Sequence, residues 1–254
     1  MHSTGFLGLN GPRAPDPMTF AAAVLAWIAD PAHWVGFDGI PTRVGEHLTM
    51  SVTALALSLA IALPVGLALG HTGKGGAVAI NIANVGRALP SLALIALALP
   101  VAFGLGLGLG FWPTMFALVP LGLPPIITNT YVALRSIDPD LIEAARGMGM
   151  REWDLLRRVE IPVAAPVIIA GVRNAAVAIV ATATLGAIVA SGGLGRYIVD
   201  GLARQDQARL FVGAVLVALL AIGAELALAL FERLVVPVGI RHAARAPDTW
   251  SAPR

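Results

Sequence analysis

The chain has 254 residues, of which 57% are hydrophobic and only 13% are charged, about half the ~25% charged fraction of an ordinary soluble domain. That balance excludes a disordered tail, a collagen-like fibre and an ordinary cytosolic enzyme, and it points to a bilayer protein. The chain has no Cys, hence no disulfide framework or thiolate site, and its 17 basic residues, at a formal net charge of +2, are scattered over loops rather than forming a nucleic-acid stripe.

Residues 1–47 form an N-terminal segment. The apolar run Phe20 to Ala29 is too short to cross a bilayer, and Trp27 and Trp34 mark an interface. An interfacial amphipathic helix fits best, with a sixth tilted span or an atypical signal peptide as alternatives. His47 to Gly73 then carries no Asp, Glu, Lys or Arg, and predicts a first span at about 48–70. After it, Ala68 to Gly75 approaches a nucleotide loop. Ala68 stands where G-x-x-x-x-G-K-S/T needs Gly, and Gly75 where it needs Ser or Thr, so no phosphate cradle forms. Gly66 and Gly70 have the spacing for close helix approach, which in so Gly- and Ala-rich a chain reads as generic packing.

From Ala88 to Leu134 there are 47 residues without a charge, too many for one span. The glycine run from Gly104 to Gly110, followed by Trp112 and Pro113, divides them into spans at about 80–103 and 113–134. Its spacing is not that of a dinucleotide loop. Pro90 and Pro100 predict kinks in the second span. Late in the third, Thr128, Asn129, Thr130 and Tyr131 form a polar cluster. It reads either as a wall of a translocation path or as hydrogen-bonding glue between helices.

The segment 136–162 is the most informative. Asp138 before Pro139 is an N-cap followed by Pro at the first helical position. Asp140 and Glu143 suit the start of that helix, and Gly147 and Gly149 stop or turn it. A second short helix over 151–159 directs Trp153, Leu155 and Leu156 toward apolar surroundings, and Pro162 and Pro166 mark the entry to the next span. Two ordered helices on the membrane are more than a passive connector.

A fourth span is expected at about 163–190, ended by Gly192, Gly193 and Gly195, where close packing would suit an outer gate or a plain turn. Arg196, Asp200, Arg204, Asp206 and Arg209 follow as a mixed-charge loop. A fifth span runs about 210–232, and residues 233–254 form a tail. Arg173 and Glu225 are the two ionisable residues placed inside spans. Each lies about 10 Å from the same face at 1.5 Å per residue. They can therefore pair, face a water-filled vestibule separately, or contact substrate. With the first segment outside, inside segments carry eleven Arg and Lys and outside segments five, favouring an outside N-terminus and a cytoplasmic C-terminus. The five histidines form no H-E-x-x-H site, no Ser/His/Asp set can be placed, and no metal site is expected.

Glu143, Ala144 and Ala145, then Gly149, then Val159, Ile161 and Pro162 resemble the signature E-A-A, three residues, G, nine residues, I-x-L-P of binding-protein-dependent ABC importer permeases. Val159 and Ile161 depart conservatively. The resemblance implies an all-α, five-span type I importer fold. It also implies that 136–162 is a coupling elbow docking on a cytoplasmic ATPase, which would bind ATP and Mg so that this chain needs no cofactor. Arg87 to Leu94, Leu123 to Tyr131, Ala170 to Asn174 and Gly192 to Gly195 resemble the osmoprotectant branch, importing glycine betaine, choline or carnitine. The methionine and other amino-acid permeases are the nearest alternative. The expected partners are two ATPase subunits, a second permease copy or homologue, a separate extracytoplasmic binding protein and lipid, with no nucleic acid. The location implied is a bacterial inner membrane. A stand-alone secondary transporter is disfavoured, since five spans do not divide into inverted repeats.

Overall fold

The N-terminal segment folds as α1, Pro17–Ala29, ended by Asp30, whose side chain accepts from the Ala32 N–H to start a single 3₁₀ turn over Pro31–His33. The computed structural model describes residues 17–79, 81, 86 and 90–235. Arg13, Arg87, part of the second expected span and the tail beyond 235 lie outside the described residues. At 13 residues α1 spans about 20 Å, too little to cross alone. It packs on the last long helix through the Phe20–Phe211 edge contact, and Trp27 stacks on His33 and meets Tyr197 edge-on.

Four helices among the described residues are long and apolar enough to span: α2, Ile40–Thr72; α4, Phe111–Arg135; α6, Glu152–Val189; and α8, reaching from Gln207 to Val235. Between them lie α3, Ser91–Gly104, α5, Pro139–Gly147, and α7, Gly195–Arg204. α2 starts at Ile40, ahead of the expected 48. Charge ended the sequence window there, but Arg43 is neutralised by Asp38 and Glu46, so the helix can continue through it. Gly39 caps it, and it ends at Gly73, whose φ of +67° closes the last turn on the Gly70 carbonyl.

α4 is the hub. Gly66 of α2 lies against Thr130 and Gly70 against Leu134; a Cβ on either glycine would come within 2.7 and 2.8 Å of those side chains. The spacing expected to be generic packing is thus a close helix contact with a defined partner. Further along, Met50 and Ala54 pack with Met115 and Leu118, so α2 and α4 run parallel. Parallel neighbours require a return crossing. Gly76 lies at Tyr131, Ile95 and Ala98 pack with Ala117, and Gly110 donates its N–H to the Val189 carbonyl, at 2.7 Å. The described residues at 76, 95, 98 and 110 thus meet α4 in descending order, antiparallel to it, beside the four helices long enough to span among the described residues. Positive φ at Gly106, Gly108 and Gly110 makes the turn that the glycine run predicted.

α6 runs antiparallel to α4. Gly171 sits against Asn129, and Ile179 packs beside Met115 and Leu118. The expected short helix at 151–159 is not separate; it is the start of α6. Pro162 lacks an N–H and would clash with the Arg158 carbonyl in a regular helix. A π-turn over Leu156–Glu160 takes up that misfit, and the helix continues.

Candidate functional site

The elbow between α4 and α6 is built on Ile137, Ile142, Ala145 and Leu155. Ala145 is 2% exposed and Leu155 fully buried, while Ile142 and Leu156 pack on the cluster of Ala133, Leu134, Ala164 and Ile168. Asp138 accepts from the Asp140 N–H, starting α5 as expected. Gly149 has φ +82° and nothing within 4 Å of where a Cβ would lie. Its requirement for glycine is conformational, not steric. Across this turn the Gly149 N–H donates to the Arg146 carbonyl and the Met150 N–H to the Ala145 carbonyl.

Of the expected coupling residues, Ala145 faces the bundle, and Val159, Ile161 and Pro162 are half-buried at the root of α6. Glu143, Ala144 and Gly149 are exposed. Trp153, expected toward apolar surroundings, is 68% exposed in the single chain, and Leu141 and Met148 are exposed apolar residues of the same elbow. Ile142 and Ala145 of α5 and Leu155 of α6 take up the buried positions. The exposed side of the elbow carries Leu141, Met148 and Trp153 together with Asp140, Glu143, Arg146 and Glu152.

Arg173 and Glu225 meet across α6 and α8. Arg173 Nε donates to Glu225 Oε1 at 3.0 Å, and its Nη2 reaches the same oxygen. A third member was missed: Nη1 donates to Glu232, also at 3.0 Å. Glu225 and Glu232 are seven residues apart, two turns along one face of α8. An apolar groove lined by Asn174, Val177, Ala178, Ile222 and Leu226 opens beside Glu225.

Thr128 to Tyr131 do not form a single wall. Four consecutive residues cover a full helical turn, so their side chains point to different neighbours. Thr130 is buried against Gly66, Asn129 donates to the Pro125 carbonyl and abuts Gly171, and Tyr131 lies at Gly76.

At the opposite end of the bundle the glycine turn is pinned to α2. Gly193, at φ +72°, donates its N–H to Glu46 Oε2 at 2.7 Å and rests on His47 and Met50. Gly192 lies against the Glu46 carboxylate, and a Cβ on Gly195 would strike the Thr184 backbone. Glu46 is held in turn by Arg43, and Asp38 bridges Arg43 and Arg209. Burial pushes the Asp38 carboxyl up, but the two guanidiniums outweigh it and hold it below the usual carboxylate range. The Tyr197 hydroxyl donates to the Asp38 carbonyl, and burial pushes its pKa up to about 12. The expected mixed-charge loop is thus partly an ion-paired clamp, with Arg196 and Arg209 both on Asp200.

A family model described as binding-protein-dependent transport system inner membrane component matches residues 42–237. The chain is 38% identical over 199 residues to the glycine betaine/carnitine/choline transport system permease protein OpuCB of Bacillus subtilis (strain 168), covering 78% of this chain and 89% of that one. It is 39% identical over 198 residues to the carnitine transport permease protein OpuCB of Listeria monocytogenes, covering 78% and 88%. Among solved structures, a chain of the MetNI methionine ABC transporter in an inward-facing form aligns with TM-score 0.69 at 25% identity, covering 77% of this chain and 95% of that one. An amino acid ABC transporter aligns with TM-score 0.63 at 18% identity, covering 87% and 99%, a likeness of fold alone.

Proposed function

The chain belongs to the family of binding-protein-dependent transport system inner membrane components, and from that premise we propose that it is the permease subunit of an ATP-driven importer of osmoprotectants such as glycine betaine, carnitine or choline. It is a multi-pass inner-membrane protein. The observation that carries the substrate class is identity of 38% and 39%, over 78% of the chain, to permeases named for those compounds. The likeness to the methionine transporter is weaker, at 25%, so methionine is the second reading.

In this reading the chain hydrolyses nothing. ATP and magnesium bind to two partner ATPase subunits, which seat on Glu143, Ala144 and the exposed Leu141, Met148 and Trp153. The elbow is then cytoplasmic, the N-terminal segment lies outside and the C-terminus inside, as the distribution of Arg and Lys favours. Two permeases, identical or homologous, enclose the path between them, and a separate binding protein delivers the solute at the end carrying Gly192, Gly193 and Gly195. Closure of the ATPases moves Ala145 and the root of α6 together, because Val159, Ile161 and Pro162 tie the elbow to the span without a break. Arg173 and Glu225, beside the groove between α6 and α8, are the polar residues that the moving spans bring toward the path, while Asn129, Thr130 and Tyr131 pack between helices.

Reconstitution tests this. Proteoliposomes holding the permease, its ATPase and its binding protein should accumulate radiolabelled glycine betaine only with ATP inside the docking compartment. Omitting the ATPase should abolish accumulation. Accumulation by the permease alone on an ion gradient, or of methionine in place of betaine, would contradict the proposal.

A further inference from the structure

We infer that His71 and Glu160 are positioning residues, a strut that ties the ATPase-docking elbow to the end of α2. The inference rests on the reading that the elbow docks an ATPase. His71 occupies the last turn of α2, and Glu160 lies 89 positions away in the π-turn of α6. His71 Nδ1 and Glu160 Oε2 are 2.6 Å apart, and the Glu160 side chain is only 7% exposed. The other ring nitrogen, Nε2, lies 3.4 Å from Glu152 Oε2. Glu152 in turn receives both Nε and Nη2 of Arg146, at 3.0 and 3.1 Å. Arg146 directly follows Glu143, Ala144 and Ala145 in α5. An unbroken chain of charged contacts therefore runs from the docking helix to the first span.

Leu63 and Leu67 of α2 meet the same apolar cluster as Ile142 and Leu156, and the strut adds to that packing a direct polar tie from the last turn of α2 to Glu160 and Glu152. A buried carboxylate without a partner is costly, and among the described residues His71 is the partner that Glu160 has. The position also explains why the strained π-turn points Glu160 inward rather than into solvent.

Both ring nitrogens of His71 face a carboxylate. A neutral imidazole has one N–H donor and would set a lone pair against one of them, whereas the imidazolium donates to both. The charged groups around it are Glu152 and Glu160 of α6 and, through Glu152, Arg146 of α5. From α4, Arg135 packs over Gly73, two residues on. His71, with a carboxylate at each ring nitrogen, is thus the centre of the strut.

The test uses the full transporter in proteoliposomes, measuring glycine betaine transported per ATP hydrolysed. His71→Gln and Glu160→Gln should lower that ratio about tenfold, the scale of a lost charge-assisted hydrogen bond, while ATP hydrolysis continues. A merely structural fault would lower uptake and hydrolysis together. His71→Lys, which places a cation between the carboxylates, should restore coupling relative to His71→Gln. The inference is overturned if His71→Gln and Glu160→Gln couple like the wild type, or if His71→Lys is as uncoupled as His71→Gln. Failure of the wild type to use ATP would instead overturn the importer reading itself.

Discussion

Replacing Gly149 by Val should cut ATP-driven uptake by about tenfold or more while leaving the spans assembled, and replacing it by Asn should leave uptake near the wild-type level. Gly149 sits at φ +82° in open space. A side chain there meets no atom, so the cost is all in the backbone. For a residue branched at Cβ this conformation is a real outlier, worth about 1–2 kcal/mol, whereas Asn visits it readily. The turn will shift rather than bear that cost, because across Gly149 it is held by two backbone hydrogen bonds, from Gly149 to Arg146 and from Met150 to Ala145, and by the exposed Arg146–Glu152 pair. α5 then rotates and carries Glu143 and Ala144 off their docking geometry. About 1.4 kcal/mol of lost docking corresponds to tenfold. Uptake and thermal melting of the two variants check this. Equal loss in Val and Asn would mean that the surface, not the backbone, matters at Gly149.

Arg173→Ala should have the largest effect on stability. It leaves Glu225 and Glu232 facing each other along α8 with no cation between them. Removing one partner of a buried charge set costs more than the set contributes, because the survivors remain desolvated. The three side chains are 27%, 38% and 21% exposed in the single chain, which places the cost at about 2–3 kcal/mol, below the fully buried range. For a chain of this size that lowers Tm by about 5–10 °C. Arg173→Met with Glu225→Gln and Glu232→Gln should recover most of the loss, since nothing charged is then left unpaired. Melting curves in detergent decide it. Losses that simply add across the three sites would show that the residues act separately.

The spans were legible because the physics that sets them acts on composition. A charge in the hydrocarbon core is expensive, so long charge-free windows mark the passes, and the glycine run at 104–110 marks a turn. The rule failed where a charge is neutralised by neighbours, as at Arg43, and α2 began earlier than the window allowed. Depth counting along α6 and α8 could bring Arg173 to Glu225. It does not reach Glu232, which lies at the expected end of the span and on the same face of α8. The link from His71 to Glu160 was out of reach, because nothing in a hydrophobic period encodes the register of α2 against α6. Apolar character alone directs Trp153 toward apolar surroundings, and its exposure in the single chain is that of an apolar residue open to a partner or to lipid. The motif carried the elbow's identity; only coordinates could say that Ala145 faces the bundle and Ala144 the solvent.

The chain has no Cys, so Ala144→Cys introduces a unique thiol on the exposed face of α5. The most direct measurement is its labelling by a membrane-impermeant maleimide in intact cells and in inside-out vesicles. The account predicts no labelling in cells, rapid labelling in vesicles stripped of the ATPase, and protection when the ATPase subunit is added back. Labelling from outside intact cells, or labelling that bound ATPase leaves unchanged, would contradict it.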